Sequence, residues 1–306
     1  MTVPRSGSAD LTPAVLIYNA SSGQGRRTTP DELRDALWSA GFDARHRPTA
    51  HASDLNAALA DVTGPVFVAG GDGSFRAAAL HLVGRAGVTV GVIPLGTSNN
   101  IARTLGLDDD PLALAGRYRD GLSAPFDAGR IRAPWGEDVF FEACGCGVFA
   151  DVLHAYDPDA PKSPFRAVGA LMEVLPDFEP LELQITVEGQ LYPGPPLTLL
   201  EVMNIQATSN SLRLAPDAHP GDGLLNLIRV NGEERDGLIA YVASLMGGTF
   251  DELPSVREHV TPRLQVSYHG QVFHVDGETR EPGPPGGAVD IEVWPAALQV
   301  LRPAGG

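Results

Sequence analysis

Strand-like and amphipathic segments alternate along the N-terminal part of the chain. Short runs that predict strands, most of them apolar, occur at residues 14–18, 43–47, 65–69 and 88–94. Amphipathic segments predict helices at 30–41, 53–62 and 74–84, and a further helix that runs through residue 105. Strands that alternate with helices at this spacing predict a parallel sheet with helices on both faces.

The pattern changes near residue 126. Short strand-like runs, separated by Gly, Pro and Asp, occur at 138–142, 181–187, 197–205, 224–230, 263–268, 271–275, 289–293 and 299–301. Helical patterns interrupt them at 163–175 and 234–246. The sequence therefore predicts two domains, an α/β domain over residues 1–127 and an antiparallel β-rich domain over residues 128–306.

Charge narrows the classes of partner. The 306 residues carry a formal net charge of −16, so nucleic acid and anionic membranes should repel the chain, and no nucleic acid partner is expected. Lys162 is the only lysine, which argues against a phosphate loop of the Walker type. The N-terminal residues lack the apolar segment of a signal peptide, and no run is long enough to span a membrane, so we expect a cytoplasmic protein.

Two cysteines, Cys144 and Cys146, lie in the segment ACGCG. We expect a Gly-rich strand that places them on opposite faces, both buried and without a disulfide. A metal site made by two cysteines alone would lack ligands.

Two Gly-rich turns follow predicted strands, GGDGS at 70–74 and GTSNN at 96–100. Glycines expose backbone N–H groups that bind anions, and the helix that follows adds the positive end of its dipole. An aspartate there, Asp72, suits Mg²⁺ shared with phosphate oxygens, although a tight turn with a capping aspartate would look the same. The hydroxyls and amides of the second turn can bond a ribose or base, and two such turns on neighbouring strands favour a nucleotide site.

These segments resemble a known family. VAGGDGSFRAAA and GVIPLGTSNNIARTLGL are similar to the catalytic domain shared by diacylglycerol kinases and related bacterial lipid kinases. IYNASSGQG, LAPDAHPGDGLLNLIRV and HVDGE match further motifs of that family in the same order. The resemblance implies a nucleotide domain related to NAD kinases, then a β-sandwich domain, with the acceptor site between them and the last strand packed back on the first domain. It implies transfer of a phosphoryl group from ATP, with Mg²⁺, to a lipid hydroxyl.

The resemblance also implies roles for individual residues. Nucleotide contacts carry over to Asn19, Gly71, Asp72, Gly73, Ser74, Gly96, Thr97 and Asn99. Glu278 carries over as the catalytic base, with Asp72 organising metal and phosphate, and Asp222 carries over as a metal position together with carbonyl groups near His219 and Leu224. Each acid has a plainer interpretation, because Asp276-Gly277 and Asp222-Gly223 are both favoured turn sequences.

The chain departs from the family pattern at four places, and these leave the substrate open. Ala20 replaces a proline, Asn100 an aspartate and Glu142 an asparagine, and residues 208–212 replace a Gly-rich stretch. The leading hypothesis is a lipid kinase that contacts the inner face of the membrane transiently. The alternatives are a kinase of a soluble acceptor, as in NAD kinases, and a nucleotide-binding protein without transfer activity. The oligomeric state is left open, a homodimer included.

Overall fold

The structure is a computed structural model that describes residues 11–23, 28–49, 51, 53–155, 178–208, 211–233, 241, 243–244 and 247–303. The chain divides into two compact units, Met1–Pro125 with Leu298–Gly306, and Phe126–Ala297. The helix predicted at 163–175 lies outside the described residues, as does most of the helix predicted at 234–246. Within the described part of the chain, no helix combines the length and the apolar character needed to cross a membrane.

The first unit is a parallel sheet with helices, as the sequence predicts. Its elements are β1 (Thr12–Tyr18), α1 (Pro30–Ser39), β2 (Phe42–His46), α2 (Asp54–Leu59), β3 (Gly64–Gly70), α3 (Asp72–Leu82), β4 (Val88–Pro94), α4 (Asn100–Thr104) and α5 (Pro111–Arg117). The strands lie side by side in the order β2-β1-β3-β4, and each neighbouring pair is parallel. The loops that follow β1, β3 and β4 therefore lie at one edge of the sheet.

The apolar runs of the first unit form its core. Strand β3 is buried continuously from Val66 to Gly70, as expected for a strand covered on both faces. Helix α1 begins with the capping box that its sequence encodes: the Glu32 N–H donates to Thr29 Oγ1 at 3.3 Å, and the Thr29 N–H donates to the Glu32 carboxylate at 2.8 Å. Local sequence therefore sets where this helix starts.

The second unit is predominantly antiparallel β structure. The elements are β5 (Leu122–Ala133), β6 (Gly136–Phe140), β7 (Ala143–Gly147), α6 (Val148–Ala155), β8 (Ile185–Val187), β9 (Gln190–Leu191), β10 (Leu197–Met203), β11 (Ala207–Thr208), β12 (Leu212–Arg213), β13 (Leu225–Asn231), a 3₁₀ helix (Phe250–Glu252), β14 (Val256–Thr261), β15 (Arg263–Ser267), β16 (Phe273–Val275), β17 (Glu278–Arg280) and β18 (Ala288–Arg302). Strand β5 begins, and strand β18 ends, among residues of the first unit. One sheet has the order β14-β13-β10-β7-β16-β17. In the other, β15 pairs with β8 and β18, and both pairs are antiparallel.

One apolar cluster joins residues of both sheets in the second unit. Cys144 and Leu200 come from one sheet, Val266 and Ile291 from the other, and all four are buried in the same cluster. This arrangement confirms the predicted β-rich fold. It also corrects the expectation for the cysteines: Cys144 and Cys146 are two positions apart, so they share one face of β7 and one core, and both are free thiols.

Strand β18 replaces the two separate strands predicted at 289–293 and 299–301. Pro295 lies between these two predicted strands and has no N–H group to donate. The chain passes it with Ala296 in the left-handed region, at φ 48°, and the Ala296 N–H donates to Asp127 Oδ1 at 2.7 Å. The strand begins in the second unit and ends in the first, where Val300 pairs in parallel with Val90 of β4.

Candidate active site

The turn after β3 depends on glycine at its first positions. Gly71 caps α3 with an extended backbone and without a side-chain cap, and a Cβ atom on Gly70 would lie 2.4 Å from the Ser74 Cβ. Gly73 is exposed, and a Cβ atom there would have no atom within 4 Å. Because Gly73 lies in the first turn of α3, its N–H group has no carbonyl partner within the helix. The turn therefore presents a helix N-terminus whose surface a ligand can approach closely.

The turn after β4 packs directly against the first turn. A Cβ atom on Gly96 would lie 2.6 Å from the Gly71 Cα, so the two backbones are in contact. Asn99 adopts the left-handed conformation at φ 49°, and its side chain closes the turn on itself. Its Oδ1 accepts from the Gly96 N–H and its Nδ2 donates to the Gly96 carbonyl, both at 2.9 Å. Asn99, predicted to contact the nucleotide, thus shapes the backbone of the turn.

The loop after β1 completes the arrangement. Asn19 Nδ2 donates to Ser74 Oγ at 2.8 Å, and the Asn19 N–H donates to the Ala69 carbonyl at 2.9 Å. A Cβ atom on Gly23 would lie 2.9 Å from Thr97 Oγ1. The structure therefore brings together, in the first unit, every residue predicted to contact the nucleotide. Gly23 joins them. It lies in the segment IYNASSGQG but is not among the predicted nucleotide contacts.

Asp72 connects the two turns. Its Oδ1 accepts a hydrogen bond from the Ile101 N–H, at the start of α4, at 3.1 Å. Burial raises the pKa of this carboxyl above its ordinary value, although the backbone N–H of Ile101 and the positive charge of Arg103 act in the opposite direction. An ionised carboxylate in this position is costly in the free protein, so a bound cation would stabilise it.

The side chains at these turns suit magnesium only when phosphate oxygens supply further ligands. Among the described residues, no three side chains of His, Cys, Asp or Glu come together as a metal cluster. Mg²⁺ is commonly held by one or two carboxylates plus the phosphates of a nucleotide, and Asp72 supplies one carboxylate beside an anion-binding turn. The residues present fit that mode of binding and would not hold the metal alone.

Glu278, the predicted base, lies on a hairpin of the second unit. Strands β16 and β17 are joined by Asp276 and Gly277, with φ values of 50° and 76°, which confirms the two-residue turn. The Asp276 carboxylate accepts from three consecutive N–H groups, those of residues 141–143, at 2.8–3.2 Å. The Glu278 side chain is 61% exposed, with Arg280 Nη1 at 3.7 Å from its carboxylate. An exposed carboxylate on an anchored turn can accept a proton, and its catalytic role stays a prediction.

At the predicted metal position, the oxygen atoms of Asp222 and His219 accept hydrogen bonds from backbone N–H groups of their own loop. Asp222 Oδ1 accepts from the Leu224 N–H at 2.9 Å, and the His219 carbonyl accepts from the Gly221 N–H at 2.8 Å. Buried Asp127 holds the same loop, since its Oδ2 accepts from the Gly223 N–H at 2.7 Å. The plain turn accounts for this geometry, and the metal role stays a prediction.

Two family matches cover most of the chain. Residues 13–131 match the family described as the diacylglycerol kinase catalytic domain. Residues 152–302 match the family described as the YegS C-terminal NAD kinase beta sandwich-like domain.

Individual proteins extend these matches. A diacylglycerol kinase of Mycobacterium tuberculosis (strain ATCC 25618 / H37Rv) is 30% identical over 267 residues, which cover 86% of this chain and 82% of that protein. A protein of Klebsiella pneumoniae (strain 342) named probable lipid kinase YegS-like is 27% identical over 302 residues, covering 95% and 96%. The crystal structure of a diacylglycerol kinase from Bacillus anthracis str. Sterne matches with a TM-score of 0.69 at 17% identity, over 97% of this chain and 98% of that one. At that identity the structural likeness shows the fold alone.

Proposed function

The chain belongs to the family of the diacylglycerol kinase catalytic domain, a family of ATP-dependent phosphotransferases, and on that premise we propose that it phosphorylates a lipid hydroxyl group, such as that of diacylglycerol. The observation that carries the proposal is the convergence of three loops of the first unit on one Gly-rich helix start. Gly23 approaches Thr97, Gly96 touches Gly71, and Gly73 remains open. Such a backbone surface suits the phosphates of a nucleotide.

In this proposal the phosphates lie against the N–H groups at the start of α3, and Asp72 shares Mg²⁺ with them. Bound Mg²⁺ would neutralise charge on the phosphoryl group during transfer. The turn carries no lysine, so backbone N–H groups and the metal provide the compensation that a lysine provides in Walker loops. The raised pKa of Asp72 supports this role, because cation binding stabilises the ionised form.

Glu278 takes the proton of the acceptor hydroxyl in this proposal. A lipid hydroxyl is a weak nucleophile until a carboxylate accepts its proton. Asp72 already accepts a hydrogen bond from Ile101 and is assigned to the metal, which makes it the weaker candidate for the base. Glu278 is exposed, and its turn is fixed by the hydrogen bonds of Asp276.

A substitution at Gly73 tests the nucleotide site. In Gly73→Ala the new methyl group meets no atom within 4 Å, so the protein should fold at least as stably as the parent. The same methyl group lies on the surface where we place the phosphates, so affinity for Mg-ATP should fall on the order of tenfold or more. Gly116→Ala, in helix α5 of the same unit and equally open, is the control and should bind Mg-ATP normally. Normal Mg-ATP affinity in Gly73→Ala would place the phosphates elsewhere.

The acceptor is identified by comparing candidate substrates in separate reactions. The parent protein is incubated with labelled ATP and, in parallel, diacylglycerol, other lipids with free hydroxyls, NAD and sugar phosphates. We expect label in a lipid product. Label in NAD would favour the alternative function, which rests on the match of residues 152–302 to an NAD kinase beta sandwich-like domain. ATP binding without a labelled product from any acceptor would support a nucleotide-binding protein without transfer activity.

A further inference from the structure

A histidine and a glutamate are paired inside the second unit, next to the hairpin that carries Glu278. His274 on β16 and Glu201 on β10 are both fully buried, with side-chain exposures of 0%. His274 Nε2 lies 2.8 Å from Glu201 Oε1 and 3.0 Å from Oε2. Such a pair is costly to bury, so packing alone gives no reason for it.

The two side chains meet across a strand that lies between them. Strand β7 separates β16 from β10, and the register places Gly145 directly opposite both His274 and Glu201. A Cβ atom on Gly145 would lie 2.5 Å from Glu201 Cδ and 2.3 Å from the Leu200 carbonyl oxygen. Glycine in the central strand therefore leaves the space in which the histidine and the glutamate meet.

The second ring nitrogen of His274 contacts the turn. The Gly277 N–H donates to His274 Nδ1 at 3.3 Å, so Nδ1 carries no proton in this arrangement. The ring proton then lies on Nε2 and is donated to the Glu201 carboxylate. Glu201 thereby selects the tautomer of His274 that can accept the hydrogen bond from Gly277. The residue after Gly277 is Glu278.

We propose that His274 is a positioning residue for Glu278. Glu201 fixes the tautomer and orientation of the ring, and the ring fixes the Gly277 peptide group from which Glu278 projects. Asp276 anchors the first residue of the same turn through the N–H groups of residues 141–143, so the two contacts together define the turn. The proposal rests on the proposed function, in which Glu278 is the base, and the test below separates the two.

Two substitutions at His274 separate its hydrogen bond to Glu201 from its hydrogen bond with Gly277. His274→Gln places an amide N–H group near the position of Nε2, so it keeps a donor for Glu201 and loses the acceptor for Gly277. His274→Asn places an amide oxygen near the position of Nδ1, so it keeps the acceptor and loses the donor. His259, a half-buried histidine on β14 of the same sheet, provides the matched controls His259→Gln and His259→Asn.

Nuclear magnetic resonance tests the geometry without an activity assay. In the parent protein we expect ¹⁵N shifts of His274 that show a protonated Nε2 and a bare Nδ1. Amide exchange at Gly277 should be faster in His274→Gln than in the parent and unchanged in His259→Gln. A protonated Nδ1, or unchanged exchange at Gly277 in His274→Gln, would overturn the proposal whatever the protein phosphorylates.

Kinetics then test whether the geometry acts through Glu278. With Mg-ATP and diacylglycerol in detergent micelles, His274→Gln should lower kcat on the order of 10-fold to 10²-fold, with the KM for ATP unchanged. In a Glu278→Gln background, the same substitution should lower kcat by no more than about twofold, because the group that it positions has been removed. Equal losses in both backgrounds would show a merely structural role and refute the positioning.

The proposed function fails in a different way. If the parent protein does not turn over diacylglycerol or any other acceptor of the panel, or if Glu278→Gln retains parental kcat, Glu278 is not the base of a lipid kinase. The resonance measurements decide the His274 geometry in either case, so the two failures are distinguishable.

Discussion

At the scale of single residues, Asn19, Asp72 and Asn99 form hydrogen bonds with the two Gly-rich turns and the helix that follows them. Asn19 bonds Ser74, Asn99 bonds Gly96, and Asp72 bonds the Ile101 N–H. What these turns offer a ligand is mainly the backbone at the start of α3, whose shape the side chains maintain. Substitutions at these positions should therefore act on geometry as much as on direct contacts.

Replacement of Asp72 by asparagine should separate stability from function. Burial raises the pKa of Asp72 in the folded protein. Its favourable contribution to the free energy of unfolding is therefore present below the ordinary aspartate pKa and is lost as the pH rises through the raised pKa. At neutral pH the buried charge weakens folding, and Asp72→Asn should match or exceed the parent in Tm. The difference should disappear at a pH below the ordinary aspartate pKa. Calorimetric scans over this range check the prediction, which a lower Tm of the variant at neutral pH would contradict.

The same substitution should impair catalysis. Asp72→Asn removes the carboxylate that we assign to Mg²⁺, so turnover should fall and its dependence on Mg²⁺ concentration should weaken. Initial rates over a Mg²⁺ titration, at fixed ATP, measure both effects. A variant that keeps parental turnover and the parental Mg²⁺ dependence would remove Asp72 from the metal site.

Replacement of Glu278 by glutamine tests the base. The amide keeps the shape of the side chain and loses its basicity, so kcat should fall on the order of 10²-fold to 10⁴-fold. Affinity for ATP should stay the same, because the predicted nucleotide contacts lie in the first unit. Glu281→Gln, an exposed acid on the same segment, is the control. If Glu278→Gln turns over its acceptor at the parental rate, Asp72 becomes the preferred base.

The sequence predicts these site residues by type, and their contacts depend on distant parts of the chain. The GGDGS turn is recognisable because glycine at its first two positions allows Gly70 to lie close to Ser74 and Gly71 to lie close to the Gly96 backbone. The partner of Asp72 is 29 residues away and that of Asn19 is 55 residues away, so no local pattern reveals either bond. Asp127 and Glu201 gave no signal, because a buried acid is recognisable only once its partners are known.

At the scale of elements, glycine in the middle of a sheet has a specific purpose. In β7, Gly145 leaves room for side chains of the two neighbouring strands to touch. Glycine ordinarily weakens a strand, so its presence in a central strand indicates a close approach of other groups. Strand β7 thus combines poor local propensity with a defined position in the sheet.

Gly145→Ala should destabilise the second unit. The added methyl group would overlap Glu201 Cδ and the Leu200 carbonyl, and overpacking of this kind costs about 1–3 kcal/mol. Urea unfolding of Gly145→Ala measures the loss. Gly247→Ala is the control in the same unit, because a Cβ atom there lies 3.8 Å from its nearest neighbour, which is ordinary contact. Equal stabilities of Gly145→Ala and the parent would show that the sheet adjusts freely around residue 145.

Elements with strong local signals are predictable, and those set by tertiary contacts are not. The start of α1 follows from its capping box and proline. The change from β7 to helix α6 falls at Gly147, whose φ is 101°, and a glycine alone does not predict that a helix follows. Strand β18 continues through Pro295 because buried Asp127 receives the Ala296 N–H, a contact that no pattern near residue 295 encodes.

At the scale of the whole molecule, the charge of −16 sets how the protein would meet a lipid substrate. Like charges repel an anionic membrane, and salt screens this repulsion over a Debye length of about 10 Å at 0.1 M. Association with vesicles that contain anionic lipid should therefore strengthen as NaCl rises from about 0.05 to about 0.5 M. Vesicle sedimentation measures it, with neutral phosphatidylcholine vesicles as the control. Binding that weakens with salt would indicate a local basic surface instead.

The course of β18 has a consequence for synthesis on the ribosome. The second unit ends at Ala297, whereas the first unit needs residues from Leu298 onward to place a strand beside β4. All residues of the second unit are therefore made before the first unit can close its sheet. Domains commonly fold in the order in which they are made, from the N-terminus, yet here the unit that starts first is completed last. A nascent chain would complete the sheet of its first unit only after translation has passed the final strand.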